Sequence, residues 1–75
     1  MAKRVSPLPQ APLYRILRKV GANRVSEEAK REFVEVIVDI AERIAGRAVE
    51  LAKHAKRKTV QQEDIKLAKR EVIGA

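Results

Sequence analysis

The chain contains no cysteine and no tryptophan, and Tyr14 and Phe33 are its only aromatic residues. Without cysteine it can form neither a disulfide nor a thiolate metal site, and a single histidine, His54, cannot make a metal site by itself. No apolar run approaches the roughly 20 residues that a membrane-spanning helix needs, and residues 1–10 lack the apolar core of a signal peptide. We therefore expect a soluble, cytoplasmic protein that holds no metal and no cofactor.

The charge is strongly unbalanced, with 17 Lys and Arg against 10 Asp and Glu and a net charge of +7. Such an excess points to an anionic polymer or surface as the partner. A membrane-surface helix usually carries Trp, Phe or Leu on its apolar face, whereas Ala, Val and Ile dominate here. Two aromatic residues are too few to stack a single strand. The composition favours double-stranded DNA and predicts no membrane binding.

The N-terminal part of the chain divides into an arm and a short helix. Residues 1–10 are basic, contain two prolines and show no periodicity, so they are predicted to form an extended arm. Residues 11–75 are predicted to form a single domain. Pro12 suits the first turn of a helix, and Leu13, Ile16, Leu17 and Val20 follow at helical spacing. Gly21 is expected to end this helix as its C-cap.

Two further helices are predicted after this one. Ser26 is expected to N-cap a long helix over about residues 27–55, and Thr59 with Gln62 has the form of a capping box for the last helix. The long helix would measure about 43 Å, which helices of roughly 15 Å and 20 Å cannot cover. A chain of 75 residues without disulfide or metal also needs added stability. A two-fold dimer with crossed central helices meets both needs.

Both loops carry basic residues just before a helix begins, where free N–H groups and the helix dipole favour phosphate. Arg24 precedes Ser26, and the run Lys56, Arg57 and Lys58 precedes Thr59. This placement predicts a phosphate-binding surface rather than solvated turns. Arg57 is a special case, because Asp64 lies seven residues later and can pair with it as a structural brace.

The sequence shows no catalytic set. His54 has no Ser or Cys nucleophile nearby, and neither a phosphate-binding GxxxxGK[ST] loop nor an HExxH motif is present. The acids of the long helix lie among bases at i+3 and i+4 spacing, as Asp39 and Arg43 do. We predict that the protein is not an enzyme and has no small-molecule substrate.

The segments APLYRILRKVGANRVSEEAK and LAKHAKRKTVQQEDIKLA closely resemble the archaeal histones over about residues 8–70. The two signatures, GANRVS and HAKRKTVQQEDI, occur at both helix junctions. The resemblance implies an all-α histone fold that pairs as a handshake homodimer. It further implies that dimers assemble into tetramers or longer oligomers and wrap duplex DNA with little sequence preference. Such a protein would compact chromosomal DNA in the nucleoid.

The resemblance also assigns roles to residues. Arg24 resembles the arginine that enters the minor groove, with Thr59 beside it and Lys58 as a neighbouring phosphate contact. The whole predicted DNA-binding set is Arg15, Arg18, Arg24, Ser26, Lys56, Lys58 and Thr59. Residues at which dimers would meet are Leu51, His54 and Asp64. Residues that would stack successive turns of a DNA-wrapped superhelix are Gly21, Glu35, Asp39, Lys66 and Arg70, and the like charges of Lys19 and Lys53 are expected to weaken this stacking.

Three other functions remain alternatives at this point. A histone-fold subunit of a transcription-type complex would bind a protein partner instead of forming a homodimer. A basic protein associated with RNA or the ribosome would prefer structured RNA to duplex DNA. A membrane-surface binder is the least favoured of the three.

Overall fold

The computed structural model of the protein describes residues 8–74, so most of the predicted arm, residues 1–7, lies outside it. The described residues form three helices, α1 (Gln10–Lys19), α2 (Glu27–His54) and α3 (Gln62–Ile73), and no strand. This confirms the predicted all-α order of a short, a long and a short helix. Helix α1 begins at Gln10, which was assigned to the arm, and the single-domain boundary at residue 11 stays a prediction.

The first of two compact units ends at Val38 and contains α1 and the first part of α2. Val34 and Val38 are buried in it, and Leu13 and Leu17 of α1 are half-buried. The other members of the predicted α1 stripe, Ile16 and Val20, are 49% and 78% exposed. Because Val20 lies beyond the last residue of α1, it no longer shares the helical face.

The second unit begins at Asp39 and contains the rest of α2 together with α3. Two ion pairs join these helices: Arg47 Nε donates to Glu71 Oε1, and Arg57 pairs with Asp64. The earlier position on α2 meets the later position on α3, so α3 folds back along α2.

Small side chains fill the space between these two ion pairs. Ala48 and Ala52 on α2 and Ala68 on α3 are buried, with Ala68 fully inaccessible. Within the described range no large side chain is fully buried. Several large apolar side chains of this unit stay at least 40% exposed in the single chain: Val49, Val60, Ile65, Leu67 and Ile73. A chain that completes its core against a second copy is expected to show this distribution.

Candidate nucleic-acid interface

The loop after α1 begins with a Schellman turn. Gly21 N–H donates to the Arg18 carbonyl at 3.1 Å, and Ala22 N–H donates to the Leu17 carbonyl at 3.0 Å. This is the hydrogen-bond pattern of that motif. Val20 is the cap residue, and Gly21 follows it with a φ of +118°. A side chain at Gly21 would meet nothing within 4 Å, so the backbone angle, and not a lack of space, favours glycine here.

Ser26 caps α2, as predicted. Its Oγ accepts a hydrogen bond from Ala29 N–H at 3.0 Å, which satisfies one of the free N–H groups of the first turn. Glu27 and Glu28 occupy that turn, where the helix dipole favours negative charge. Arg24 lies two residues before the cap and is exposed. The start of α2 thus combines a helix N-terminus, a hydroxyl and a nearby guanidinium.

The loop after α2 repeats the Schellman turn without a glycine. Lys56 N–H donates to the Lys53 carbonyl at 2.9 Å, and Arg57 N–H donates to the Ala52 carbonyl at 2.9 Å. Lys56 therefore takes the position that Gly21 takes in the first loop, with a φ of 59°. A left-handed conformation is uncommon for a residue with a Cβ. The turn directs the following residues, Arg57 to Thr59, away from the axis of α2.

Arg57 forms a two-pronged ion pair with Asp64. Nη1 donates to Asp64 Oδ2 and Nη2 donates to Oδ1, both at 2.8 Å. Asp64 Oδ2 also accepts from Gln61 N–H at 2.8 Å, and Arg57 Nη1 reaches the Thr59 carbonyl at 3.2 Å. The hydrogen bond from Arg57, followed by that from Gln61, lowers the pKa of Asp64 to about 2. One buried carboxylate therefore holds both the loop and the first turn of α3.

The predicted capping box of Thr59 and Gln62 is wrong. Helix α3 begins at Gln62, its N-cap is Gln61, and the side chain that caps it is Asp64. A carboxylate is a stronger acceptor than a hydroxyl, and Asp64 is also held in place by Arg57. As a result the Thr59 side chain is exposed and makes no hydrogen bond with the described residues.

The cations of the predicted DNA-binding set differ from the other cations of the chain in two respects. All five are exposed, and none forms an ion pair with a carboxylate of residues 8–74. By contrast, the four cations that do form such pairs are Lys30, Arg43, Arg47 and Arg57. The five unpaired cations are Arg15, Arg18, Arg24, Lys56 and Lys58. They are the charges that remain available to an anionic ligand.

One contact near this surface was not predicted. The ring of Tyr14 on α1 carries Arg18 on one side, with Cζ 5.8 Å from the ring centroid, and Lys30 of α2, with Nζ at 4.5 Å. The spacing of four residues between Tyr14 and Arg18 is a sequence signal for the first contact. Nothing in the sequence indicates the second, because it joins two different helices.

The remaining predicted residues lie on the surface or near it. Leu51 is half-buried and His54 exposed at the end of α2, while Asp64 is buried. Among the predicted stacking residues, Asp39 lies 3.8 Å from Arg43, as the i+4 spacing predicted. The others are exposed: Gly21, Glu35, Lys66 and Arg70. Their roles between dimers stay predictions.

Comparison with known proteins decides the family. The model of the family described as histone-like transcription factor (CBF/NF-Y) and archaeal histone matches residues 6–68. The chain belongs to this family. It is 56% identical over 66 residues to the probable archaeal histone 3 of Methanocaldococcus jannaschii, covering 88% of this chain and 98% of the relative. It is 45% identical over 64 residues to the archaeal histone HAN1 of Thermococcus zilligii, covering 85% and 96%.

This histone-family membership settles the class of protein. The chain has a histone fold, binds and compacts chromosomal DNA, and is not an enzyme. The family also implies that the protein dimerises through this fold. None of the helices between residues 8 and 74 is long and apolar enough to cross a membrane.

Proposed function

We propose that this archaeal-type histone wraps duplex DNA as a homodimer that assembles into tetramers and longer oligomers in the cytoplasmic nucleoid. The observation that carries the proposal is the set of five exposed cations without carboxylate partners, on α1 and in the two loops that precede helices. The acids of the chain neutralise other cations and leave these five free. In a homodimer each of the five occurs twice.

The first loop can bind phosphate through three kinds of group. The first turn of α2 has N–H groups without a helical partner, and the helix dipole favours an anion there. Ser26 uses its oxygen to accept from Ala29, so its hydroxyl hydrogen can still be donated. Arg24 adds a mobile positive charge beside them and is long enough to enter a minor groove that faces the protein.

The second loop works through a division of roles. Arg57 gives its donors to Asp64 and to the Thr59 carbonyl, so it shapes the loop and adds little free charge. Lys58 is exposed beside it, and the Thr59 hydroxyl has no capping duty. We therefore assign phosphate binding to Lys58, Thr59 and Lys56, and loop geometry to Arg57.

Such contacts recognise the backbone and not the bases. Phosphate and minor-groove contacts carry little sequence information, and neutralising phosphates releases counterions. Sequence preference then comes from how easily the DNA bends. Assembly beyond the dimer is assigned to Leu51 and His54 with Asp64 at the meeting of dimers. Contacts between successive turns are assigned to Gly21, Glu35, Asp39, Lys66 and Arg70.

The first experiment is micrococcal nuclease digestion of a long random-sequence duplex saturated with the protein. Protected fragments at regular length increments are expected if dimers wrap DNA and assemble along it. A structureless smear would contradict wrapping and leave only coating by charge. Structured RNA, added as a competitor, should displace less protein than duplex DNA does, and the reverse result would favour an RNA-associated function.

The contacts are tested by Arg24→Ala and Lys58→Ala. Each substitution should weaken binding on all sequences alike and lower the slope of log K against log salt by about 2 per dimer, since each phosphate contact adds about 0.9 and occurs twice. Arg43→Ala is the matched control, because Arg43 is exposed but paired with Asp39. An equal loss of slope in the control would show that overall charge, and not these positions, governs binding.

A further inference from the structure

Tyr14 joins α1 to the first turns of α2 through two cations. Arg18 Nη1 donates to the Tyr14 hydroxyl at 3.4 Å, and its Cζ lies 5.8 Å from the ring centroid. Lys30 Nζ lies 4.5 Å from the same centroid. A ring that holds two cations in this way fixes both side chains at once, since a cation over an aromatic face is attracted by the ring quadrupole.

The two cations are in different surroundings. Lys30 Nζ also pairs with Glu27 Oε2 at 3.2 Å, and only 22% of the Lys30 side chain is exposed. Its charge is therefore balanced within the protein. Arg18 is exposed, and no carboxylate of the described residues pairs with it. Its guanidinium has five N–H donors, of which the Tyr14 hydroxyl engages one.

From this difference we infer that Tyr14 is a positioning residue, which presents Arg18 to a backbone phosphate and keeps Lys30 in the scaffold. The inference rests on the proposed function, because it takes phosphate as the ligand of Arg18. A guanidinium binds phosphate through a planar pair of donors. Holding its plane against Tyr14 reduces the side-chain entropy that is lost when those donors engage. Tyr14 itself makes no contact with DNA in this arrangement.

The test combines substitutions of Tyr14 and Arg18 and measures binding of the full chain to a random-sequence duplex. Tyr14→Phe keeps the ring face and loses the hydroxyl, whereas Tyr14→Leu loses both. We expect Tyr14→Phe to weaken binding about twofold and Tyr14→Leu about threefold to fivefold, which is the scale of an exposed cation–π contact. In an Arg18→Ala background both effects should disappear.

The salt dependence separates the two cations. Arg18→Ala should lower the slope of log K against log salt by about 2 per dimer. Lys30→Met, which keeps the stem over the ring, should leave the slope unchanged. If Lys30→Met lowers the slope as much as Arg18→Ala does, Lys30 is a phosphate contact and the inference is overturned.

A second result would also overturn it. If the Tyr14 substitutions weaken binding equally with and without Arg18, then Tyr14 acts through the fold and not through Arg18. Thermal unfolding of each variant identifies any loss of folding, and Tyr14→Phe carries the test if Tyr14→Leu unfolds. Failure of the unsubstituted protein to bind duplex DNA would overturn the proposed function itself, which is a different outcome from normal binding that is insensitive to Tyr14.

Discussion

Lys56 is the residue at which stability of the fold and binding of DNA are expected to oppose each other. Its φ of 59° places a Cβ in the left-handed region, at a position after a helix that glycine usually occupies. Lys56→Gly relieves about 1–2 kcal/mol of strain and loses about 0.5–1 kcal/mol through the greater freedom of glycine in the unfolded chain. The free energy of unfolding should therefore rise by roughly 0.5–1 kcal/mol per chain.

Lys56→Ala is the matched control for this substitution. Alanine removes the same charge but keeps the Cβ, and hence the strain. Thermal unfolding followed by circular dichroism, at equal dimer concentration, should give a Tm for Lys56→Gly that is about 2–8 °C above that of Lys56→Ala, given the usual dependence for domains of this size. Equal Tm values for the two variants would refute the assignment of strain to this residue.

The same two variants report on DNA. Each should lower the salt slope of duplex binding by about 2 per dimer, because Lys56 is exposed and pairs with no carboxylate in the described part of the chain. Lys56→Gly would then be the more stable protein and the weaker DNA binder. An unchanged slope would remove Lys56 from the phosphate contacts while leaving the stability result intact.

Three further predictions concern stability. The ordinary pKa of 3.8 for Asp64 is lowered to about 2 in the folded chain, so its stabilising effect is complete above about pH 4 and is lost as the pH falls towards 2; acid unfolding should show this loss, and Asp64→Asn should be less stable at neutral pH and lack this part of the pH dependence. Ala68→Leu should destabilise by about 1–3 kcal/mol in denaturant titration, because Ala68 has no accessible surface and overpacking costs that much, whereas Lys69→Leu at the exposed neighbour should change little; equal effects would contradict close packing at Ala68. Ser26→Ala should lower the free energy of unfolding by about 1 kcal/mol and Ser26→Gly by only a few tenths, and a neutral Ser26→Ala would show that the cap hydrogen bond adds nothing.

The parts of the fold that depend on neighbours in sequence could be predicted from it. The start of α2 depends on Ser26 and on a backbone N–H three residues later, so the capping preference of serine was enough. The pairing of Arg57 with Asp64 spans one loop and could be proposed from their separation. The start of α3 was misplaced at Thr59, because a motif match does not show which of two acceptors wins when an arginine already holds one of them.

Two features of the candidate site required the folded chain. The left-handed turn at Lys56 is hidden because the residue that usually marks such a turn, glycine, is absent there. The contact between Tyr14 and Lys30 depends on how α1 lies against α2, and no periodicity in either helix encodes it. Both are tertiary effects, and both decide which cations are available to phosphate.

The ion pair between Arg57 and Asp64 also bears on the order of events in folding. Its partners are seven residues apart, so closing this corner brings together a short stretch of chain at little entropic cost. Contacts of such short range form quickly compared with those between distant segments. The loop that carries Lys58 and Thr59 can thus take its final shape before the chain meets a second copy, and dimerisation then joins two DNA-binding corners that are already built.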